Sequence, residues 1–109
     1  GGAIVAKGAT LTLENVNFRH NSADNTCPRH KHCTRRRRNA RKGNAVYILG
    51  KSTVDISMAA QPKSEDFYFD DDFRGSATFH CTQPSVAATS HKIRSGYVHT
   101  SPECALPVQ

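Results

Sequence analysis

Gly1-Gly2-Ala3-Ile4-Val5-Ala6-Lys7-Gly8-Ala9-Thr10-Leu11-Thr12-Leu13 opens the chain, and Gly43-Asn44-Ala45-Val46-Tyr47-Ile48-Leu49-Gly50-Lys51-Ser52-Thr53-Val54-Asp55-Ile56 echoes it. The two stretches align with one extra residue, Lys51 or Ser52, in the second. Each offers a small-residue opening, a short apolar strand, a glycine turn, and a strand alternating Leu/Thr or Val/Asp/Ile. Period-2 alternation of β-branched and aliphatic residues between glycine breaks is a strand signal. Self-similarity at a period of about 20–50 residues, with one supersecondary unit per period, points to stacked coils of chain.

Within the first copy, Val5, Leu11, Leu13, Val16 and Phe18 carry the apolar pattern, while Thr10 and Thr12 alternate outward. Gly8 breaks the first strand from the second, and Glu14-Asn15 makes another corner. Asn17-Phe18-Arg19-His20-Asn21 reads as a third short strand ending in a turn. Three short strands with sharp corners describe one coil of a right-handed parallel β-helix. The expected fold is therefore all-β: a short right-handed parallel β-helix of about two rungs, with a basic loop inserted and an irregular C-terminal tail. Its parts are a first rung over 1–23, a basic loop over 24–42, second and degenerate rungs over 43–80, and a tail over 81–109. The alternative is an ordinary β-sandwich with glycine turns, because short apolar runs do not fix topology.

Gly1-Gly2-Ala3-Ile4 followed by Phe18-Arg19-His20-Asn21 resembles the paired G-G-A-I and F-x-x-N motifs of polymorphic outer-membrane-protein repeats. More broadly, the chain is similar to right-handed β-helix surface proteins. In the second copy Asn44 replaces the second glycine and Val46 the isoleucine, and no clean F-x-x-N follows Ile56. The nearest candidates are Asp66-Phe67-Tyr68-Phe69-Asp70 and Phe73-Arg74-Gly75, and after Gly75 only a strand near Ala77 to Cys81 continues the pattern. The resemblance implies a surface-exposed, non-catalytic, structural or adhesive role. Physically, small residues allow close backbone approach, and a corner Asn can bond its own backbone.

At 109 residues, with 37% hydrophobic content and no tryptophan, the chain holds one modest domain with a core of small aliphatic residues. No run approaches the roughly 18 apolar residues of a membrane-spanning helix. The sequence starts inside its first rung, as an excised fragment would, and shows no signal peptide. Cys27, Cys33, Cys81 and Cys104 form two local groups, and an even count in a small polar chain favours disulfides and an oxidising compartment. The nearest-neighbour pairing, Cys27–Cys33 with Cys81–Cys104, is expected among the three connectivities available. This places the chain on the secretory route, outside the cell or at its surface.

The net charge of +6 is concentrated between positions 29 and 42, where six arginines and two lysines lie with His30 and His32. Arg35, Arg36, Arg37, Arg38, Arg41 and Lys42 are the candidate binding residues for a polyanion. No aromatic side chain is interleaved to stack bases, which disfavours nucleic acid; acidic polysaccharide or an acidic protein face fits better. The four consecutive arginines also form a dibasic-type processing site, and a solvated charge run without a specific partner is the bland alternative. Cys27, His30, His32 and Cys33 have the residue types of a zinc site but crowd four ligands into seven residues, so a small disulfide loop is preferred and no metal or cofactor is expected.

Glu65, Asp66, Asp70, Asp71 and Asp72 raise a polysaccharide-cleaving enzyme as a rival, with Asp70 and Asp72 on one face of a strand. Calcium is a further option. No base or aromatic platform is legible beside them, so the expectation is a solvated acidic turn, contacting arginines of the basic loop, and no enzyme. Two rungs amount to only about 10 Å of stacked sheet, less than a solenoid needs. The first rung therefore exposes a strand edge, expected to be covered by another protein chain or by an upstream part of the same precursor.

Overall fold

A computed structural model describes residues 2–23, 43–81 and 89–107. Among the described residues eight strands run in order: β1 (Ile4–Lys7), β2 (Thr10–Val16), β3 (Val46–Leu49), β4 (Thr53–Met58), β5 (Phe67–Phe69), β6 (Ser76–His80), β7 (Thr89–Ile93) and β8 (Gly96–Thr100). One short 3-10 turn, Ser64–Asp66, leads into β5. The all-β expectation is met.

The strands form two sheets: a three-stranded one in the order β1-β3-β5, and a five-stranded one in the order β2-β4-β6-β8-β7. The smaller sheet is parallel throughout. The larger is mixed, because β7 pairs antiparallel with β8 after three parallel ladders. Ile4 faces Val46 in the first sheet and Thr10 faces Thr53 in the second. The register thus takes up one extra residue between Leu49 and Thr53, which is where the sequence alignment needs it.

The chain steps between the sheets in tiers: β1 and β2, then β3 and β4, then β5 and β6, with β8 continuing only the larger sheet. Alternate residues of every strand point into a shared core. From the smaller sheet come Ala6, Val46, Ile48, Phe67 and Phe69; from the larger, Val54, Ile56, Ala77, Phe79 and Val98. Phe67 and Phe79 meet edge-to-face across the two sheets at 5.0 Å, an arrangement ring quadrupoles favour. Fully burying such a side chain is worth about 1.5–3 kcal/mol.

Between the sheets the chain turns a corner at Ala9, Ser52 and Gly75, stacked through Thr53 N–H to the Ala9 carbonyl (2.9 Å) and Ser76 N–H to the Ser52 carbonyl (2.9 Å). The Ser52 hydroxyl donates to carbonyls of this corner, with Oγ 3.1 Å from Ala6 O and 2.9 Å from Leu49 O, and accepts from the Ala9 amide at 3.2 Å. A side chain at Gly75 would overlap the Ser52 carbonyl oxygen, so only glycine permits this approach.

Three expectations are corrected. Residues 17–21 are not a strand, because Asn15 (φ 53°) and His20 (φ 55°) sit in the left-handed region and turn the chain at both sides. Parallel pairing extends beyond the two copies expected, since β5 and β6 pair in register with β3 and β4. The described part of the tail is not irregular: β7 and β8 form a hairpin through Arg94 and Ser95, and Val98 is fully buried. Polar outward residues mask its alternation, although Tyr97-Val98-His99-Thr100 stands in register with Ser76-Ala77-Thr78-Phe79.

Candidate functional site

The two ends of the stack differ chemically. At the carboxy-terminal end, the Cys81–Cys104 disulfide (Cα–Cα 5.4 Å) ties the last described segment to the end of β6, as the nearest-neighbour pairing expects. Ser101 is buried and accepts the Cys81 amide at 3.3 Å. Gln61 grips the same segment twice: its amide nitrogen donates to Glu103 O at 2.6 Å, and its oxygen accepts from Ala105 N–H at 2.7 Å. The β7–β8 turn reaches the β5–β6 connection, with Ser95 N–H donating to Phe73 O at 3.1 Å, and the end of the smaller sheet, with Arg94 Nε donating to Phe69 O at 3.4 Å.

At the amino-terminal end, β1 and β2 are the first strands of both sheets. Their inward residues occupy the same columns as core residues of the next tier: Ile4 over Val46, Leu11 over Val54, Leu13 over Ile56 and Val16 over Met58. Val46, Val54 and Ile56 are at most 1% exposed, whereas Ile4, Leu11, Leu13 and Val16 are only partly buried. Val5 on the outer face is 58% exposed. In a parallel ladder alternate residues bond to opposite neighbours. The bond from Thr53 N–H to Ala9 O therefore sets Leu11 and Leu13 to pair with β4, and turns the amides and carbonyls of Thr10 and Thr12 away from β4, to the side where no described strand lies.

The acidic stretch is solvated only in part: Glu65 and Asp71 are exposed, whereas Asp70 is buried. β5 ends at Phe69, so Asp70 and Asp72 lie beyond the strand and its alternation does not place them. Asp70 is buried and accepts hydrogen bonds from the Tyr47 hydroxyl and, at 3.3 Å, from the Asp72 amide. Asp72 accepts the Gly50 amide at 3.1 Å, and Asp71 pairs with Arg94 at 3.5 Å. Tyr47 stacks on Tyr68 at 5.7 Å, and the Arg94 guanidinium lies 6.0 Å from the Tyr68 ring centre. These carboxylates are engaged in holding a turn to the second tier. Burial, reinforced by the Glu65 carboxylate and opposed by Lys63, raises Asp66 above its ordinary value of 3.8.

The candidate polyanion residues Arg35, Arg36, Arg37, Arg38, Arg41 and Lys42 lie outside the described residues, as do Cys27, His30, His32 and Cys33. Among the described residues no three His, Cys, Asp or Glu side chains are grouped to hold a metal ion, and no helix is long and apolar enough to cross a membrane. No family model, curated protein or solved structure matches this chain.

Proposed function

We propose that this chain is a non-catalytic structural segment, acting outside the cell or at its surface. Its parallel ladders are successive coils of a β-helical stack, of the kind the G-G-A-I and F-x-x-N resemblance implies, and its amino-terminal side is completed by another polypeptide. The observation carrying this reading is the mismatch between equivalent inward positions: Leu11 and Leu13 are half-covered where Val54 and Ile56 are fully buried. A strand laid along β2 would cover those leucines and pair with the amides and carbonyls of Thr10 and Thr12 together, the two contributions that make an uncovered strand edge adhesive. The Cys81–Cys104 disulfide supports an oxidising compartment.

Native mass spectrometry and light scattering over a concentration series test the proposal. Association beyond one chain is expected, shifted back toward the single chain by Leu11→Lys. A single-chain mass at every concentration, with cooperative unfolding above roughly 65 °C, the top of the ordinary range for small domains, would sink it.

A further inference from the structure

Away from that edge, the outward face of the five-stranded sheet carries a second arrangement. Register places Asp55, Thr78, His99 and Ser90 in one row across four neighbouring strands, with Tyr97 and Lys92 paired in the adjacent row. Tyr97 is 49% exposed. Its ring stacks with that of His99 along β8, within 15° of parallel and with centres 6.4 Å apart. The His99 ring is fixed from the side by Ser90 Oγ, 2.7 Å from Nδ1. Asp55, whose side chain is 52% exposed, is held by His80 Nε2 at 3.4 Å.

We infer that this face binds an uncharged, hydroxyl-rich polysaccharide running across the strands. The charges decide the class. Asp55 is the one carboxylate and Lys92 the one ammonium of these rows, three strands apart, so among the described residues this face gathers no cluster of cations for a polyanion. Tyr97 is the one large apolar body in the rows, too little for the apolar centre of a protein interface. A single exposed ring beside convergent hydroxyl, imidazole and carboxylate groups suits a pyranose. Its C–H face lies on the aromatic ring, and its hydroxyls donate to Asp55 and exchange hydrogen bonds with Thr78, Ser90 and His99. Neighbouring strands are about 4.8 Å apart, comparable to one sugar unit of an extended chain, so successive strands address successive sugars.

The test is affinity electrophoresis and pull-down of the full chain with β-glucan, galactomannan and xylan, alongside polygalacturonate and heparin. At least one neutral polymer is expected to retain the chain, with retention unchanged by added salt. Tyr97→Ala should weaken retention about tenfold, Tyr97→Phe should preserve it, and circular dichroism should be unchanged for both. Three results would overturn the inference: no retention by any neutral polymer, retention by the acidic polymers alone, or full retention of Tyr97→Ala. A chain that assembles as proposed above yet ignores neutral sugars separates the two readings.

Discussion

Leu13 and Ile56 occupy the same column of the same sheet, point the same way and have side chains of nearly the same size. One is half-covered and the other fully buried. The difference lies in what each has on its two sides. Ile56 sits between β2 and β6, whereas among the described residues Leu13 has a strand neighbour, β4, on one side only. For this pair burial follows position in the ladder rather than residue type, and Leu13 keeps only part of the hydrophobic stabilisation its side chain offers.

Truncating both positions separates them most sharply. Ile56→Ala should cost about 3–4 kcal/mol by urea denaturation, the removed atoms plus the cavity left behind. Leu13→Ala should cost only about 1–2 kcal/mol in the isolated chain. Equal losses would mean that the first tier is already enclosed. A larger Leu13→Ala loss in the assembled state than in the isolated chain would locate the covering polypeptide on β2.

Glycine substitutions extend the contrast with a smaller effect. Gly75→Ala drives a methyl into the Ser52 carbonyl between tiers and should cost at least about 2 kcal/mol. Gly8→Ala meets nothing within 4 Å. It carries only the penalty of holding an alanine at φ 57°, about 1 kcal/mol. Thermal melts of both proteins check the order, and a reversal would show that the corner column is not closely stacked.

The smallest effect concerns Asp66. A carboxyl whose folded value is raised is protonated more readily in the folded state, so stability falls as pH rises from 3.8 through that higher value. Asp66→Asn should therefore stabilise slightly at neutral pH, with the gain vanishing below pH 3.8. Melts at pH 3 and pH 7 decide it, and a variant less stable at pH 7 would contradict the burial argument.

Much of the strand framework was legible. The alternation at Leu11, Thr12 and Leu13 and its echo at Val54, Asp55 and Ile56 gave both strands, their inward faces and the register joining them. The Cys81–Cys104 pairing was legible from proximity in sequence. The β7–β8 hairpin was not, because its turn uses Arg94 at φ 57° where a glycine would announce it, and because β7 presents Thr89, Ser90, His91 and Lys92 with little apolar content. The surface around Tyr97 was hidden for a related reason. Asp55, Thr78, His99 and Ser90 are scattered along the chain, and only the ladders bring them into one row.

Arg94 spans a boundary. It sits at the tip of the last hairpin of the wider sheet, and its guanidinium touches the final strand and turn of the narrower one, at Phe69, Tyr68 and Asp71. A residue strained in its own turn yet anchored elsewhere makes two otherwise separate edges share one fate. Hydrogen exchange is then expected to show the amides of β8 and those around Phe69 losing protection together, and independent loss would show that Arg94 does not couple the two edges.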